Sequence, residues 1–432
     1  MTPQSSFMVV ARIRSGREAE LSRLLATMNR APGCVDPANA LVPFGAFETL
    51  HFARFVILDD ATTGDIAAHG VPAPAYPLAL AFFGDCDGDP RRFVADLERR
   101  AGDGLRHIFL CCEGFTESTD LARWMVEREH VPAAFYVNWR GRTMRQIREE
   151  AALASLVAGS LRADPSLACR PPRELHRELC RQVDEAIASG RLTLTAEAST
   201  PWRWWVGNAL HASAGPLVGL ALLPLLILYL PIFAYQLRRR EKADPETIPR
   251  VDPGHARRLA QIEDHDVTNQ FSAMGSLKPG VFRRWAIVVV LWGLDYAARH
   301  VYRRGRLARV HTIHAARWVF LDGRRRVFFG SNYDGSLESY MDDFINKVGF
   351  GLNLVFSNGV GYPSTKWLVI DGAKDEQKFK HYLRRHELVT QVWYNAHAGL
   401  TAHHMERNAR LRRGFESAVP SDGELAEWCR LL

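Results

Sequence analysis

The apolar and polar positions of residues 1–165 follow two periods, one typical of strands and one typical of helices. Short runs rich in β-branched and aromatic residues predict buried strands, and apolar residues spaced three and four apart predict amphipathic helices. Asp89 and Pro90 stand where a helix cap and a first helical residue are expected. The predicted order is strand, helix, strand, strand, helix, strand, at residues 7–13, 17–28, 50–58, 78–83, a helix from Pro90, and 105–110.

The same order recurs in the second half of the chain, which indicates an internal duplication. The segment HFARFVILDD from His51 matches HAARWVFLDG from His314, with His, Ala, Arg, an aromatic residue, Val, Leu and Asp in register. Further on, FFG at 82–84 aligns with FFG at 328–330 if the second copy carries one extra residue. The second set of elements is predicted at 271–277, 282–302, 313–321, 327–330, 336–348 and 352–357. Each copy then adds a helix, a strand and a helix, at 119–129, 134–138 and 142–161, and at 375–385, 389–395 and 401–415.

Between the two copies lies a long apolar segment. Residues 206–237 contain no Asp, Glu, Lys or Arg, and an apolar run of more than about 18 residues is typical of a membrane helix. Tryptophans precede the run and Arg238–Arg240 follow it, as aromatic and basic residues do at membrane interfaces. One crossing would place the two copies on opposite sides of the bilayer.

The prolines of this segment, Pro216, Pro224 and Pro231, predict a bent or re-entrant hairpin whose ends return to the same face. A second apolar patch at 285–294 is too short to span alone, so we expect it to lie on the membrane or against the hairpin. The alternative is that this patch is a second crossing. The chain then divides into residues 1–165 (first repeat), 166–201 (linker helix), 202–240 (membrane segment), 241–266 (linker), 267–418 (second repeat) and 419–432 (tail).

Composition narrows the functional classes. The chain has 432 residues, of which 47% are hydrophobic and 24% charged, so we expect folded domains. A net charge of +7 comes with no basic stripe interleaved with aromatics and no zinc-finger spacing, which argues against nucleic acid and favours an anionic membrane as partner. The 7 cysteines contain no CxxC pair, and a polar start without a signal peptide favours cytoplasmic repeats.

The candidates for chemistry are polar residues that recur in both copies or that stand out in the second. Arg54 and Arg317 interrupt apolar strands and need partners, for which Asp59 and Asp322, or Asp96 and Asp343, are candidates. A structural ion pair and an anion-binding arginine are both consistent with this pattern. The predicted catalytic set is Arg317, His314, Asp334 and Asn395, and the predicted cofactor ligands are His403 and His404. The alternative for the two histidines is a solvated helix face.

The two βαββαβ repeats resemble the dimeric α+β barrel superfamily of ferredoxin-like proteins, and in particular the dye-decolorizing peroxidases. Gly84 to Gly88 has the GxxDG spacing of their distal motif, and Ala402-His403 with Asn408 and Arg410 resembles their AHIRxxNPR stretch. The resemblance implies an α+β fold in which the repeats close into one intramolecular barrel around a membrane-seeking insertion. It also implies haem as the cofactor.

Three functions follow as hypotheses. The first is a membrane-attached oxidoreductase, peroxidase-like and haem-dependent, that acts on an apolar small molecule. The second is a non-catalytic membrane-attached binding or scaffold protein, and the third is a cofactor-free monooxygenase. Assembly as a homo-oligomer is consistent with each of them.

Overall fold

The computed structural model describes residues 1–247, 249–302, 304–416 and 421–432, and shows a mixed α+β protein. Two four-stranded antiparallel sheets form its centre. In the first sheet the strands are ordered Gln4–Arg12, Ala79–Asp87, Leu50–Leu58 and Thr390–Asn395. In the second sheet they are ordered Thr268–Ser276, Arg326–Asp334, Ile313–Leu321 and Ala134–Val137.

Each sheet takes its last strand from the other half of the chain. Thr390–Asn395 pairs with Leu50–Leu58, and Ala134–Val137 pairs with Ile313–Leu321. The sequence prediction had left each of these strands with its own copy, which is wrong. Neither half can therefore complete its sheet without the other.

Strand pairing also corrects the alignment of the two copies. Phe7 pairs with Gly84 in the first sheet, and the corresponding Phe271 pairs with Ser331 in the second. FFG at 82–84 thus corresponds to residues 329–331, and the extra residue of the sequence alignment disappears. The backbone hydrogen bonds between the strands define which residues correspond, and a local match of residue types along the sequence does not.

The strands predicted at 105–110 and 352–357 are wrong, because these residues end the helices Pro90–Phe109 and Leu337–Phe356. The buried face of the first helix continues at helical spacing through Leu97, Ala101 and Leu105. Both helices kink at corresponding residues, Ala101 (φ −133°) and Val348 (φ −141°). Gly104 lies inside the helix, where a Cβ would clash with the Leu41 backbone.

The other predicted helices are present, and the helices Pro253–Ala260 and Asp422–Cys429 were not predicted. Asp89 caps the helix Pro90–Phe109 as predicted, accepting the Arg91 N–H. The linker region contains the helix Pro172–Ala188, and the predicted boundary at 418–419 lies outside the described residues. The remaining α-helices are Glu18–Ala26, Leu121–Glu127, Met144–Ala163, Pro253–Ala260, Val281–Tyr296, Glu376–His386, Ala402–Glu416 and Asp422–Cys429. Two small hairpins pair Asn29–Ala31 with Cys34–Val35, and Thr365–Lys366 with Ile370–Asp371.

The two large sheets pack face to face. Met8, Val56 and Phe83 of the first sheet share one apolar cluster with Met274 and Val319 of the second. The helices cover the two outer faces and enclose a separate core on each side. The molecule is thus layered helix, sheet, sheet, helix, with both halves in one body.

The apolar segment forms one continuous helix, Trp202–Ala243, which we call the long helix. The predicted hairpin is wrong, because all three prolines lie inside this helix and the chain does not turn back. Within the described part of the chain it is the one helix long and apolar enough to cross a membrane. Residues 220–232 are exposed on every side.

Both ends of the long helix are fixed to the body of the protein. Near its start, the Tyr296 hydroxyl donates to the Ala212 carbonyl at 2.9 Å. Near its end, the buried Glu241 carboxylate accepts the backbone N–H groups of Trp367 at 3.0 Å and Leu368 at 2.8 Å. The long helix therefore contacts the body at two places and leaves it between them.

Candidate functional site

Arg54 and Arg317 occupy corresponding positions, and each reaches across to the opposite sheet. The Arg54 guanidinium donates to the carbonyl oxygens of Phe271 at 2.8 Å and Ser331 at 2.5 Å, and to the Asn332 side chain. These acceptors are neutral and belong to the second sheet. The partners proposed from the sequence, Asp59 or Asp96, are wrong, since they were sought within the same half.

Arg317 has a charged partner. Its guanidinium forms an ion pair with Asp85 at 2.5 Å and donates to the Ser6 hydroxyl at 2.8 Å, both in the first sheet. Asp322 and Asp343, the predicted partners, instead pair with Arg326 and Lys347, each four residues further along the chain. The two arginines are thus reciprocal contacts between the sheets.

The surroundings of the two arginines are packed. Both guanidinium groups lie over the Phe83 ring, at 5.4 Å and 4.8 Å from its centre. Burial and the neighbouring Arg317 lower the pKa of Arg54 to about 9, and burial lowers the pKa of Arg317. The gap that Arg54, Arg317 and Phe83 line has no volume for a water molecule. This arrangement joins the sheets and leaves no room there for a substrate.

Two histidine–aspartate pairs also follow the repeat. His51 Nε2 lies 2.9 Å from Asp87 Oδ1, and His314 Nε2 lies 2.6 Å from Asp334 Oδ1. Both histidines are buried, each with 4% of its surface exposed. A histidine hydrogen-bonded to a carboxylate is typical of a general base, which must lie within hydrogen-bond distance of its substrate. Because His51 and His314 are both buried, neither is exposed to a substrate in solution.

The second oxygen of each aspartate holds the start of a helix. Asp87 Oδ2 accepts the Met144 N–H at 2.9 Å, and Asp334 Oδ2 accepts the Ala402 N–H at 2.7 Å. A carboxylate at a helix N-terminus satisfies an otherwise unbonded N–H and interacts favourably with the helix dipole. Each pair therefore ties a central strand to a covering helix.

A third histidine breaks the symmetry. His397 Nε2 lies 3.0 Å from His51 Nδ1, and both the His397 and His314 rings contact the Phe52 ring edge to face. The predicted Asn395 accepts the His397 backbone N–H at 2.8 Å. Burial first, and His51 second, lower the pKa of His397 well below its usual value.

The structure brings part of the predicted catalytic set together. His314 and Asp334 are in contact, and Asn395 lies beside His397, whereas Arg317 points into the opposite sheet. His397, Phe52 and the pair His51–Asp87 belong to the same cluster but were missing from the prediction. The repeat itself was the signal, since His51 and Asp87 correspond to His314 and Asp334.

The residues proposed for haem do not fit that group. His403 is exposed, and His404 Nδ1 lies 3.4 Å from the Thr401 N–H at the start of the same helix. Neither residue lines the apolar cavity described next, and that cavity has no histidine or cysteine in its wall. Nor do the described residues include a cluster of three His, Cys, Asp or Glu side chains placed to hold a metal ion.

An apolar cavity lies on the outer face of the second sheet and has a volume of about 360 Å³. Phe271, Trp318 and Phe329 form its floor, and the helices Val281–Tyr296 and Leu337–Phe356 form its walls. Its wall contains no charged residue. The size and the lining are those of a site for a small apolar molecule.

The mouth of this cavity adjoins an exposed apolar surface. Two of its lining residues, Val289 and Phe350, are 62% and 60% exposed. Val289 belongs to a stripe that is exposed along one face of the helix Val281–Tyr296, at Val281, Trp285, Val289 and Trp292. This stripe, which we call the apolar stripe, continues toward the long helix, where the Trp292 ring lies beside Gly215.

Sequence reasoning missed the cavity because it assigned residues 352–357 to a strand. Leu352, Val355 and Phe356 instead face the cavity from the last turns of a helix. The spacing of the apolar residues Phe344, Val348 and Leu352 indicates a helix that continues through this segment, and this helix forms one wall of the cavity.

The chain was compared with protein-family models, with curated proteins and with solved structures, and none of the three comparisons finds a match.

Proposed function

We propose that this chain is a membrane-attached protein that takes up an apolar small molecule through the cavity of its second half. The observation that carries the proposal is the uncharged cavity of about 360 Å³ whose mouth opens beside the apolar stripe. A ligand that leaves a bilayer along this stripe would stay in contact with apolar side chains. Because apolar surface is costly to expose to water, such a path favours a ligand that partitions into lipid.

The long helix supports attachment to one face of the bilayer. The stretch between its contacts with the body at Ala212 and Phe233 is apolar and largely exposed. Both ends of the helix contact the same folded body. We therefore propose that the long helix lies along the membrane with both sheets on one side, which we take to be the cytoplasmic side.

The same proposal includes the finer description of the fold. We propose that the two halves are ferredoxin-like repeats that close into an intramolecular α+β barrel, as their resemblance to the dimeric α+β barrel proteins implies. The matching strand order and the reciprocal contacts of Arg54 and Arg317 support it.

The cavity can be tested by filling it. A Cβ at Gly293 or Gly351 would meet no atom within 4 Å, so Gly293→Leu with Gly351→Leu fills the cavity without a backbone clash. We expect this variant to lose at least about tenfold in affinity for a fluorescent fatty acid, a change of about 1.4 kcal/mol. Gly159→Leu, in a helix away from the cavity and equally unobstructed, is the matched control. Equal binding by all three proteins, or none by the parent protein, would contradict the proposal.

The haem-dependent hypothesis has its own test. Because no histidine lines the cavity, we expect added haemin to give no Soret band characteristic of a protein-bound haem. A stoichiometric band that His403→Ala removes would instead support the peroxidase-like hypothesis.

A further inference from the structure

A second concave surface lies at the start of the helix Val281–Tyr296. This cleft has a volume of about 410 Å³. Two arginines share its wall with apolar groups, and the Arg324 guanidinium lies over the Trp285 ring at 5.7 Å. Its lining residues are Val281, Arg284, Trp285, Gly323 and Arg324.

The positive charge of this cleft is not neutralised by neighbouring acids. Within the described ranges, neither Arg284 nor Arg324 forms an ion pair. Asp322, beside the cleft, is paired with Arg326 at 2.6 Å, and Asp244 is held by two other buried cations. Both cleft arginines can therefore bind an anion.

The apolar half of the cleft faces outward. Val281 and Trp285 are 62% and 58% exposed, and they begin the apolar stripe that leads to the cavity mouth at Val289. Phe282, the neighbouring residue, stacks with Arg240 of the long helix at 4.5 Å, so the arginine-rich end of that helix lies close by. Arginine beside exposed tryptophan is typical of the boundary between headgroups and acyl chains.

We infer that this cleft binds the phosphate of an anionic phospholipid, with Arg284 and Arg324 as its cationic contacts. Arginine binds phosphate oxygens through several N–H groups, and the apolar stripe gives the acyl chains a place to lie. Binding of a free phosphate ion would not require the apolar side chains of Val281 and Trp285. The inference rests on the proposed membrane attachment and adds a lipid preference to it.

The experiment compares flotation of the purified protein with vesicles of phosphatidylcholine alone and of phosphatidylcholine with phosphatidylglycerol. We expect Arg284→Gln with Arg324→Gln to weaken binding to the anionic vesicles roughly 20-fold, since each arginine near an anionic surface contributes several-fold. Binding to phosphatidylcholine vesicles should not change. Arg91→Gln with Arg92→Gln removes the same charge from exposed positions on another helix and should have little effect.

The possible failures are distinguishable. If both double variants lose the same affinity for anionic vesicles, or if neither loses any, the cleft is not a specific site. If Arg284→Gln with Arg324→Gln abolishes binding of inorganic phosphate to the protein in solution but leaves binding to anionic vesicles unchanged, the cleft is a site for free phosphate and its assignment to a lipid is overturned. If the parent protein floats with neither kind of vesicle, the membrane attachment itself fails.

Discussion

Arg317 and Arg54 occupy corresponding positions, but substitution of each would leave a different kind of partner without its contact. Arg317 neutralises the buried Asp85, whereas Arg54 binds carbonyl and amide oxygens. Removal of one partner of a buried ion pair leaves an uncompensated charge and costs about 3–5 kcal/mol. Unsatisfied neutral acceptors cost about 1–3 kcal/mol.

We therefore expect Arg317→Met to lower the free energy of unfolding by about 3–5 kcal/mol and Arg54→Met by about 1–3 kcal/mol. Urea unfolding of the detergent-purified protein measures both. Arg317→Met combined with Asp85→Leu should recover most of the loss, because no charge then stays buried. A larger loss for Arg54→Met than for Arg317→Met would contradict this account.

His397 makes stability depend on pH. Its pKa in the folded protein lies well below the unfolded value of about 6.5, because it is buried and faces His51, His314 and Arg148. Below that pH the unfolded chain binds a proton that the folded chain does not, so folding becomes less favourable as pH falls. We expect His397→Gln to remove up to about 1.4 kcal/mol per pH unit of this dependence.

The pH effect is measured as unfolding midpoints between about pH 7 and pH 5, the range in which a histidine titrates. His403→Gln, which replaces an exposed histidine, is the control. Parallel pH profiles for the parent protein and His397→Gln would refute the assignment.

At the level of residues, the repeat could be predicted but its contacts could not. The match of His51 with His314 and of Arg54 with Arg317 was visible in the sequence. The partner of Arg317 could not be predicted, because Asp85 belongs to the other sheet and no local sequence pattern indicates that the two residues are in contact.

At the level of elements, the exchanged strands join the two halves independently of the chain connection between them. Thr390–Asn395 and Ala134–Val137 each complete the sheet of the other half through backbone hydrogen bonds. The connection itself includes an exposed turn at Gly190 (φ +71°), after the helix Pro172–Ala188.

We expect a chain cut at a protease sequence inserted beside Gly190 to remain one particle. The two fragments should co-elute in size-exclusion chromatography and separate only in denaturant, because each holds a strand of the other's sheet. An insertion left uncut is the control. Separation of the fragments in native buffer would show that the exchange is not what holds the halves together.

Element types were easier to predict than their ends. The start of the helix Pro90–Phe109 was recognised from Asp89 and Pro90, but its last turn, from Leu105 on, was assigned to a strand. The long helix was recognised as apolar but was given a turn at its prolines. A proline removes one hydrogen bond without reversing the chain, so proline alone does not predict a hairpin.

At the level of the whole molecule, the proposed attachment along one face of the bilayer predicts how the long helix can be labelled. Ser199→Cys and Lys242→Cys place thiols at exposed positions near its two ends, and Leu226→Cys places one in its middle. In sealed vesicles, a membrane-impermeant maleimide added outside should modify both ends and spare the middle.

The labelling is done with the native cysteines replaced, since Cys169 is exposed, and with detergent-dissolved samples to give full labelling. Protection of one end only would indicate a crossing. Equal labelling of all three positions would indicate a helix in water.

The strand exchange has a consequence for synthesis of the chain on the ribosome. The strand Leu50–Leu58 emerges early, but its neighbour Thr390–Asn395 is translated near the end. An unpaired strand edge is prone to pair with other chains. The long helix emerges between these two strands. If it binds the bilayer as proposed, the nascent chain is held there before either sheet is complete, with its open strand edges away from those of other nascent chains.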